Sequence, residues 1–341
     1  MAQGKHAHIE EIREELIQLM RQEEDLSSED QLYHDMLYSI EALRQEKIGL
    51  YELRLLNQAI KELRYAFKIF REYYKSQRAA VFGSARTPRD HADYKLAREF
   101  GRLLSKEGWM IITGGASGIM QAAMEGAGAK NSFGVNIVLP FEQSSNLIIR
   151  NNKKLMYFKY FFTRKLVFLK ESQATVLFPG GFGTLDEGFE SLTLVQTGKA
   201  KPRPILLVDP QGSSYWTQIL DCLRVNLLHE GWISKHDLTL MRHYHDPRKA
   251  VQSLVDFYRN YHSSRFLKDQ YLIRLRKKVT DDHLRHLNRE FRGLLSKGRI
   301  RRLRDVRHDD NDDGDLERIV FYFNRSDYAQ LRSLIDVLNT F

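Results

Sequence analysis

The chain has 341 residues, of which 42% are hydrophobic and 11% aromatic, so it holds enough apolar material for two or three compact units. A single cysteine, Cys222, excludes an intramolecular disulfide framework and is predicted to be a small core residue. Much of the net charge of +9 lies in residues 272–305, where aromatic residues for base stacking are sparse. This pattern argues against a dedicated nucleic-acid partner.

The N-terminal sequence MAQGKHAHIEEIREELIQLM lacks the apolar stretch of a secretory signal. No apolar run in the chain approaches the roughly 20 residues of a membrane span. We therefore expect a soluble, cytoplasmic protein with no membrane partner, which agrees with its single cysteine.

Residues 1–77 are predicted to form a helical extension. In LSSEDQ, Ser28 and Gln31 have the spacing of a capping box. Apolar residues then recur at helical spacing in two stripes, which we interpret as packing surfaces for interaction or dimerisation. The stripes are Tyr33, Met36, Leu37, Ile40 and Leu43, followed by Leu53, Leu56, Ile60, Leu63, Phe67 and Phe70.

Residues 78–262 alternate short apolar runs with helical stretches such as DYKLAREFGRLLSKEG and DEGFESLTLVQTG. Because the apolar runs do not alternate with polar residues, they predict a doubly wound parallel α/β sheet with helices on both faces. Glycine clusters after Phe82, Thr113 and Phe178 should therefore meet in one crevice at the carboxyl edge of the sheet. The predicted strands are Ala79–Phe82, Met110–Thr113, Phe133–Val138, Ala174–Phe178 and Ile205–Val208.

Residues 263–341 are predicted to form a small C-terminal α/β unit with a regulatory or oligomer-forming role. A basic helical stretch and an acidic turn precede the strand RIVFYFN. The final helix is marked by Tyr328, Leu331, Leu334, Ile335 and Leu338.

Two motifs raise the question of a metal site. The acidic turn has Asp309, Asn311 and Asp313 at calcium-loop spacing, but Val320 stands where a bidentate glutamate is needed. His243 and His245 in RHYHD have no evident third ligand and are interpreted as part of a surface loop. The sequence therefore predicts no metal site.

The turn TGGASGI, residues 113–119, resembles the nucleotide loop of a short-chain dehydrogenase. That chemistry needs a lysine four residues after a tyrosine to lower the pKa of the phenol, and no tyrosine here has one. Met120 also stands where the dinucleotide turn needs glycine. Hydride transfer is therefore not supported.

The second glycine cluster, LFPGGFGTLDEGFE, is more specific. Its glycines let the backbone approach a ligand at the start of a helix, whose positive end attracts phosphate. Glu187 lies one turn into that helix. A carboxylate beside a phosphate is repulsive, so Glu187 is poorly explained there unless it contacts another part of the ligand. Upstream, Arg164 and Lys165 either extend to solvent from an apolar helix or bind a phosphate or carboxylate.

PGGFGTLDE resembles the PGGxGTxxE signature of the LOG family, the cytokinin riboside 5′-monophosphate phosphoribohydrolases formerly described as lysine decarboxylases. VFGSART, GGASGIM and TRK match further family motifs in the same order. The resemblance covers roughly Arg78–Tyr261 and implies a Rossmann-like fold and a homodimer or higher homo-oligomer.

The resemblance implies a set of site residues. It places the catalytic arginine and glutamate at Arg164 and Glu187. Lys165, the cation paired with Arg164, is a further candidate for substrate binding. Asp186 departs mildly from the glutamate that relatives often have there. The phosphate loop would comprise Gly180, Gly181, Gly183 and Thr184, and the two upstream turns lining the pocket Gly83, Ser84, Arg86, Gly114, Gly115 and Ser117.

The implied reaction is hydrolysis of the N-glycosidic bond of a purine nucleoside 5′-monophosphate, with no cofactor. AMP, GMP or a cytokinin riboside monophosphate is the expected substrate. No feature singles out a Schiff-base lysine for decarboxylation. The alternative is a non-catalytic protein of the same fold that binds a nucleotide, a cofactor or single-stranded nucleic acid.

Overall fold

The computed structural model describes residues 27–139, 145–303 and 316–341. The chain divides into two compact units, residues 1–61 and 62–341. None of the helices in the described ranges is both long enough and apolar enough to cross a membrane.

Helices α1 (Ser28–Gln45) and α2 (Leu50–Arg71) follow the predicted helical periodicity. The capping box predicted at Ser28 is wrong by one residue: Ser27 has the extended backbone of an N-cap and accepts from the Asp30 amide at 3.1 Å. Helix α1 has no buried residue among the described residues, and Tyr33, Met36 and Ile40 of its apolar stripe are exposed there. The interaction role of this stripe stays a prediction.

A parallel seven-stranded sheet has the order β4-β3-β2-β1-β5-β6-β7. The five predicted strands are present with small changes at their ends. Two edge strands were missed, because β4 and β7 are only partly buried and lack a continuous apolar run. The strands are β1 Arg78–Phe82, β2 Met110–Thr113, β3 Ser132–Ile137, β4 Leu155–Phe158, β5 Ala174–Leu177, β6 Ile205–Val208 and β7 Met241–Tyr244.

Helices cover both faces of this sheet. Within β1, Ala79 and Val81 join one apolar cluster, whereas Ala80 and Phe82 join the other. Both faces of the strand are therefore buried, which explains the continuous apolar runs. The helices are α3 Ala92–Lys106, α4 Ile119–Ala127, α5 Phe161–Glu171, α6 Phe182–Gln196, α7 Tyr215–Leu223, α8 Lys235–Leu238 and α9 Pro247–Phe257.

A four-stranded antiparallel sheet of order β10-β11-β9-β8 follows, with helices α10 (Asp281–Glu290) and α11 (Tyr328–Leu338). The basic stretch predicted to be helical contains helix α10, but it also includes residues of strands β9 and β10. Four of its basic residues, Lys297, Arg299, Arg301 and Arg302, lie in β10, an edge strand, where charge is tolerated and discourages further pairing. The strands are β8 Tyr261–Leu267, β9 Gln270–Leu275, β10 Leu295–Arg302 and β11 Glu317–Phe323.

Three further predictions concern individual residues. Cys222 is exposed and not a core residue, because α7 buries the face that carries Trp216 and Leu223. His243 lies in strand β7, with His245 just after it, so the interpretation as a surface loop is wrong. The calcium-like turn at Asp309, Asn311 and Asp313 lies outside the described residues.

Candidate active site

The three predicted glycine turns are joined at the carboxyl edge of the large sheet. The Ser84 amide donates to the Pro179 carbonyl at 3.0 Å, and the Ile119 amide donates to the Ser84 carbonyl at 2.9 Å. The Ser117 hydroxyl donates to the Ala85 carbonyl at 2.7 Å. The turns after β1, β2 and β5 therefore form one hydrogen-bonded wall.

Two glycines are required by this close approach. Gly118 has φ +64°, and a Cβ there would collide with the Ser84 carbonyl. A Cβ on Gly180 would collide with the Thr184 hydroxyl, while the Gly180 carbonyl accepts from Tyr215 at 2.6 Å. The glycines thus stand where the backbone has close neighbours, and Gly180 and Ser117 take part in contacts that hold the turns together.

An open cleft of about 660 Å³ lies against these turns. Four of the predicted site residues, Gly115, Ser117, Lys165 and Gly180, are not among the residues that line it. Those that do line it are Gly83, Ser84, Arg86, Gly114, Arg164, Gly181, Gly183, Thr184 and Glu187. The lining also includes five residues that sequence reasoning missed: Phe82, Ala85, Met120, Phe168 and Phe182.

Helix α6 begins in this cleft. Its N-cap is Gly181, which has no side chain to accept from the first amides, and the first turn has no acidic residue. A helix amino end that presents amides and partial positive charge to a cleft suits a phosphate. Phe182, the first residue of this helix, lines the cleft and is 93% exposed.

Arg164 on α5 and Glu187 on α6 form a buried ion pair in the cleft. Arg164 Nη2 lies 3.3 Å from Glu187 Oε1, and the side chains are 14% and 6% exposed. The guanidinium carbon lies 4.9 Å and 5.7 Å from the ring centres of Phe161 and Phe168. Within the described ranges, Arg164 Nε is buried without a hydrogen-bond partner.

Burial dominates the electrostatics of this pair. It raises the pKa of Glu187 to about 7, although the charges of Arg164 and Lys165 oppose the rise. Burial also lowers the pKa of Arg164, and Glu187 opposes that shift. Burial thus favours the protonated form of Glu187, the two cations favour its ionised form, and the arginine remains charged.

Lys165 turns toward α6. Its ammonium lies 2.8 Å from both Asp186 Oδ2 and Glu190 Oε2. These two carboxylates hold it beside Glu187 on the helix. Its role in substrate binding stays a prediction.

A parallel sheet with glycine turns and a helix amino end at its carboxyl edge defines a Rossmann-like α/β domain. Residues 118–254 match the protein family described as possible lysine decarboxylase. The PGGFGTLDE motif, this family match and the named relatives agree with one another and make the chain similar to the LOG family.

One relative is the cytokinin riboside 5′-monophosphate phosphoribohydrolase of Mycobacterium tuberculosis, 31% identical over 124 residues, or 36% of this chain and 66% of the relative. A probable phosphoribohydrolase of the same description from Oryza sativa subsp. japonica is 30% identical over 165 residues, or 46% of this chain and 63% of the relative. The matches thus span just under two thirds of each relative.

Among solved structures, the molybdenum cofactor binding protein of Rippkaea orientalis is 20% identical to this chain. The similarity covers 52% of this chain and 94% of that protein, with a TM-score of 0.36.

Proposed function

We propose that this protein hydrolyses the N-glycosidic bond of nucleoside 5′-monophosphates. Water adds to C1′ of the ribose as the bond to the base breaks, and the products are free base and ribose 5-phosphate. The observation that carries the proposal is the buried Arg164–Glu187 pair in a cleft that also contains an uncapped helix amino end. The similarity to relatives named phosphoribohydrolases supports it.

The phosphate would bind at the start of α6, against the amides of Phe182 and Gly183 and the Thr184 side chain. This contact is remote from the reacting carbon. Its binding energy fixes the ribose in the cleft, so the reacting atoms meet without further loss of freedom.

Glu187 would act as the ionised carboxylate beside the ribose. Breaking an N-glycosidic bond develops positive charge on the sugar, as in glycoside hydrolysis, and a fixed anion stabilises that transition state more than the neutral ground state. The low exposure of Glu187 strengthens this interaction because water screens it little.

Arg164 would hold Glu187 in place and keep part of it ionised. Its guanidinium packs against Phe161 and Phe168, which restricts its movement. The same guanidinium lines the cleft, where it can donate to a substrate oxygen. In this role Arg164 positions the carboxylate and anchors the substrate.

The base would lie against apolar cleft residues such as Phe82, Met120 and Phe182, which suit a flat purine ring. We propose AMP, GMP or a related purine nucleotide as the substrate. A homodimer is proposed from the family resemblance, with the open apolar stripe of α1 as a candidate contact surface.

Nucleoside 5′-monophosphates are expected to react at least ten times faster than the matching nucleosides. Losing hydrogen bonds to a charged group costs about 1.5–3 kcal/mol, which corresponds to at least a tenfold change. Chromatographic detection of free adenine or guanine from AMP, GMP, adenosine and guanosine measures this ratio. Tight nucleotide binding without release of any base would contradict the proposal and favour the non-catalytic alternative.

The rate at limiting substrate is expected to rise with pH through about 7. Glu187 must be ionised to stabilise the positively charged transition state, and burial raises its pKa to about 7. Below that pH the rate should fall about tenfold for each unit, as for one required ionisation. Initial rates of base release across a pH series give the midpoint, and a flat profile would contradict this role.

A further inference from the structure

A cluster of titratable side chains lies at the carboxyl edge of the large sheet, outside the lining of the cleft. Asp209 follows β6, and His243 and His245 lie in and just after β7. The Asp209 carboxylate is fully buried. His243 Nε2 lies 2.7 Å and His245 Nδ1 lies 2.9 Å from the same oxygen, Asp209 Oδ1.

Strand pairing fixes this convergence. The Asp209 amide donates to the Tyr244 carbonyl at 3.3 Å, which joins the ends of the two strands. The Trp216 amide donates to Asp209 Oδ2 at 3.4 Å, and Oδ1 faces the two histidines. Because His243 and His245 are two residues apart along a strand direction, both rings reach the same side.

A buried carboxylate needs a compensating positive charge. In the part of the chain that the structure describes, the ion-pair partners of Asp209 are the two histidines, which are charged only when protonated. Asp93 adds negative charge nearby. Burial raises the pKa of Asp93, His91 opposes this rise, and the charge of Asp209 adds to it. The cluster is therefore rich in cation ligands and poor in permanent cations.

We propose that Asp209, His243 and His245 bind a divalent transition-metal cation, represented by Zn²⁺. Their three ligand atoms lie within 4.8 Å of one another. Bonds of about 2.0–2.1 Å place the ligand atoms of a tetrahedral zinc site about 3.3 Å apart, so small side-chain movements would admit the ion. Water fills the fourth position. This proposal replaces the sequence-based expectation that the chain has no metal site.

Ligand chemistry selects the class of metal. Two imidazoles with one carboxylate suit first-row transition metals, whereas Mg²⁺ and Ca²⁺ prefer oxygen ligands throughout. The bound ion would join β6 to β7 beside Trp216. The neighbouring Tyr215 hydroxyl donates to the Gly180 carbonyl. The ion would therefore also help to fix the position of the proposed phosphate loop.

The test uses full-length protein stripped of metal with a chelator. Calorimetric titration with Zn²⁺ should give one equivalent bound per chain, and Mg²⁺ should give none. Zn²⁺ should also raise the thermal unfolding midpoint, because a ligand that binds the folded state stabilises it. A Co²⁺ titration followed by visible absorbance reports coordination independently of enzyme activity.

His245→Ala should weaken Zn²⁺ binding at least tenfold. Asp209→Asn, which retains side-chain volume, is a second variant that should weaken it as well. His229→Ala is the matched control, because His229 is an exposed surface histidine whose side chain is 83% accessible. It should bind Zn²⁺ as the wild type does. If the stripped wild type binds no Zn²⁺, or His245→Ala binds it as tightly as the wild type, the proposal is wrong.

Discussion

Replacing Glu187 by glutamine is expected to lower turnover of nucleoside 5′-monophosphates by about a hundredfold to a thousandfold, the range typical of removing one preorganised electrostatic contact. Glutamine has the shape of glutamate without the charge, so the positively charged transition state loses its anion. Nucleotide binding should persist, because the proposed phosphate contacts lie at the start of α6. Chromatography of released base measures turnover, and calorimetry with AMP measures binding.

Glu171→Gln is the matched control for this change. Glu171 forms a second buried ion pair, with Arg78 at 3.4 Å, and its side chain is 7% exposed. It does not line the cleft. Glu171→Gln removes a buried carboxylate of similar burial and should leave turnover near the wild-type value in the folded protein. Equal losses in both variants, or normal turnover in Glu187→Gln, would remove Glu187 from the mechanism.

The central strands were predictable because each buries both faces. A residue such as Ile111 lies in one apolar cluster and its neighbour Ile112 in the other, which produces an apolar run without alternation. The edge strands β4 and β7 have weaker burial and therefore no such run. An apolar run in the sequence therefore predicts a strand only where the strand is fully buried, and it fails at these partly exposed edges.

The glycine turns of the candidate site were predictable for a related reason. Glycine marks positions where the backbone approaches another group, as Gly180 does beside Thr184. Their convergence follows from the common edge of parallel strands. The apolar cleft residues Phe168 and Phe182 carry no comparable local signal, because an aromatic side chain in a helix usually indicates core.

The cluster of Asp209 and two histidines was not predictable, because it depends on pairing between residues 34 apart in sequence. Once β7 is recognised as a strand, the spacing of His243 and His245 places both on one face. The identity of their partner then follows from the register, in which Val208 pairs with Tyr244 and Asp209 comes next. The pairing of β6 with β7 therefore identifies Asp209 as the partner, which the spacing of the two histidines alone does not.

Replacing Arg164 by alanine is expected to lower turnover at neutral pH by about a hundredfold and to move the pH profile upward. The Arg164 charge opposes the burial that raises the pKa of Glu187 to about 7. Without the guanidinium the pKa of Glu187 rises further, so a smaller fraction is ionised at neutral pH. The loss should therefore be larger on the acidic side of the profile than on the alkaline side.

Arg164→Lys separates charge from shape. Lysine retains the positive charge that favours ionised Glu187 but lacks the planar group that packs against Phe161 and Phe168. Its pH midpoint should stay near the wild-type value while its turnover falls. Breaking a buried ion pair typically lowers the free energy of unfolding by about 3–5 kcal/mol, so rates are measured well below each variant's unfolding midpoint. An Arg164→Ala variant with the wild-type pH midpoint would show that the guanidinium does not keep Glu187 ionised.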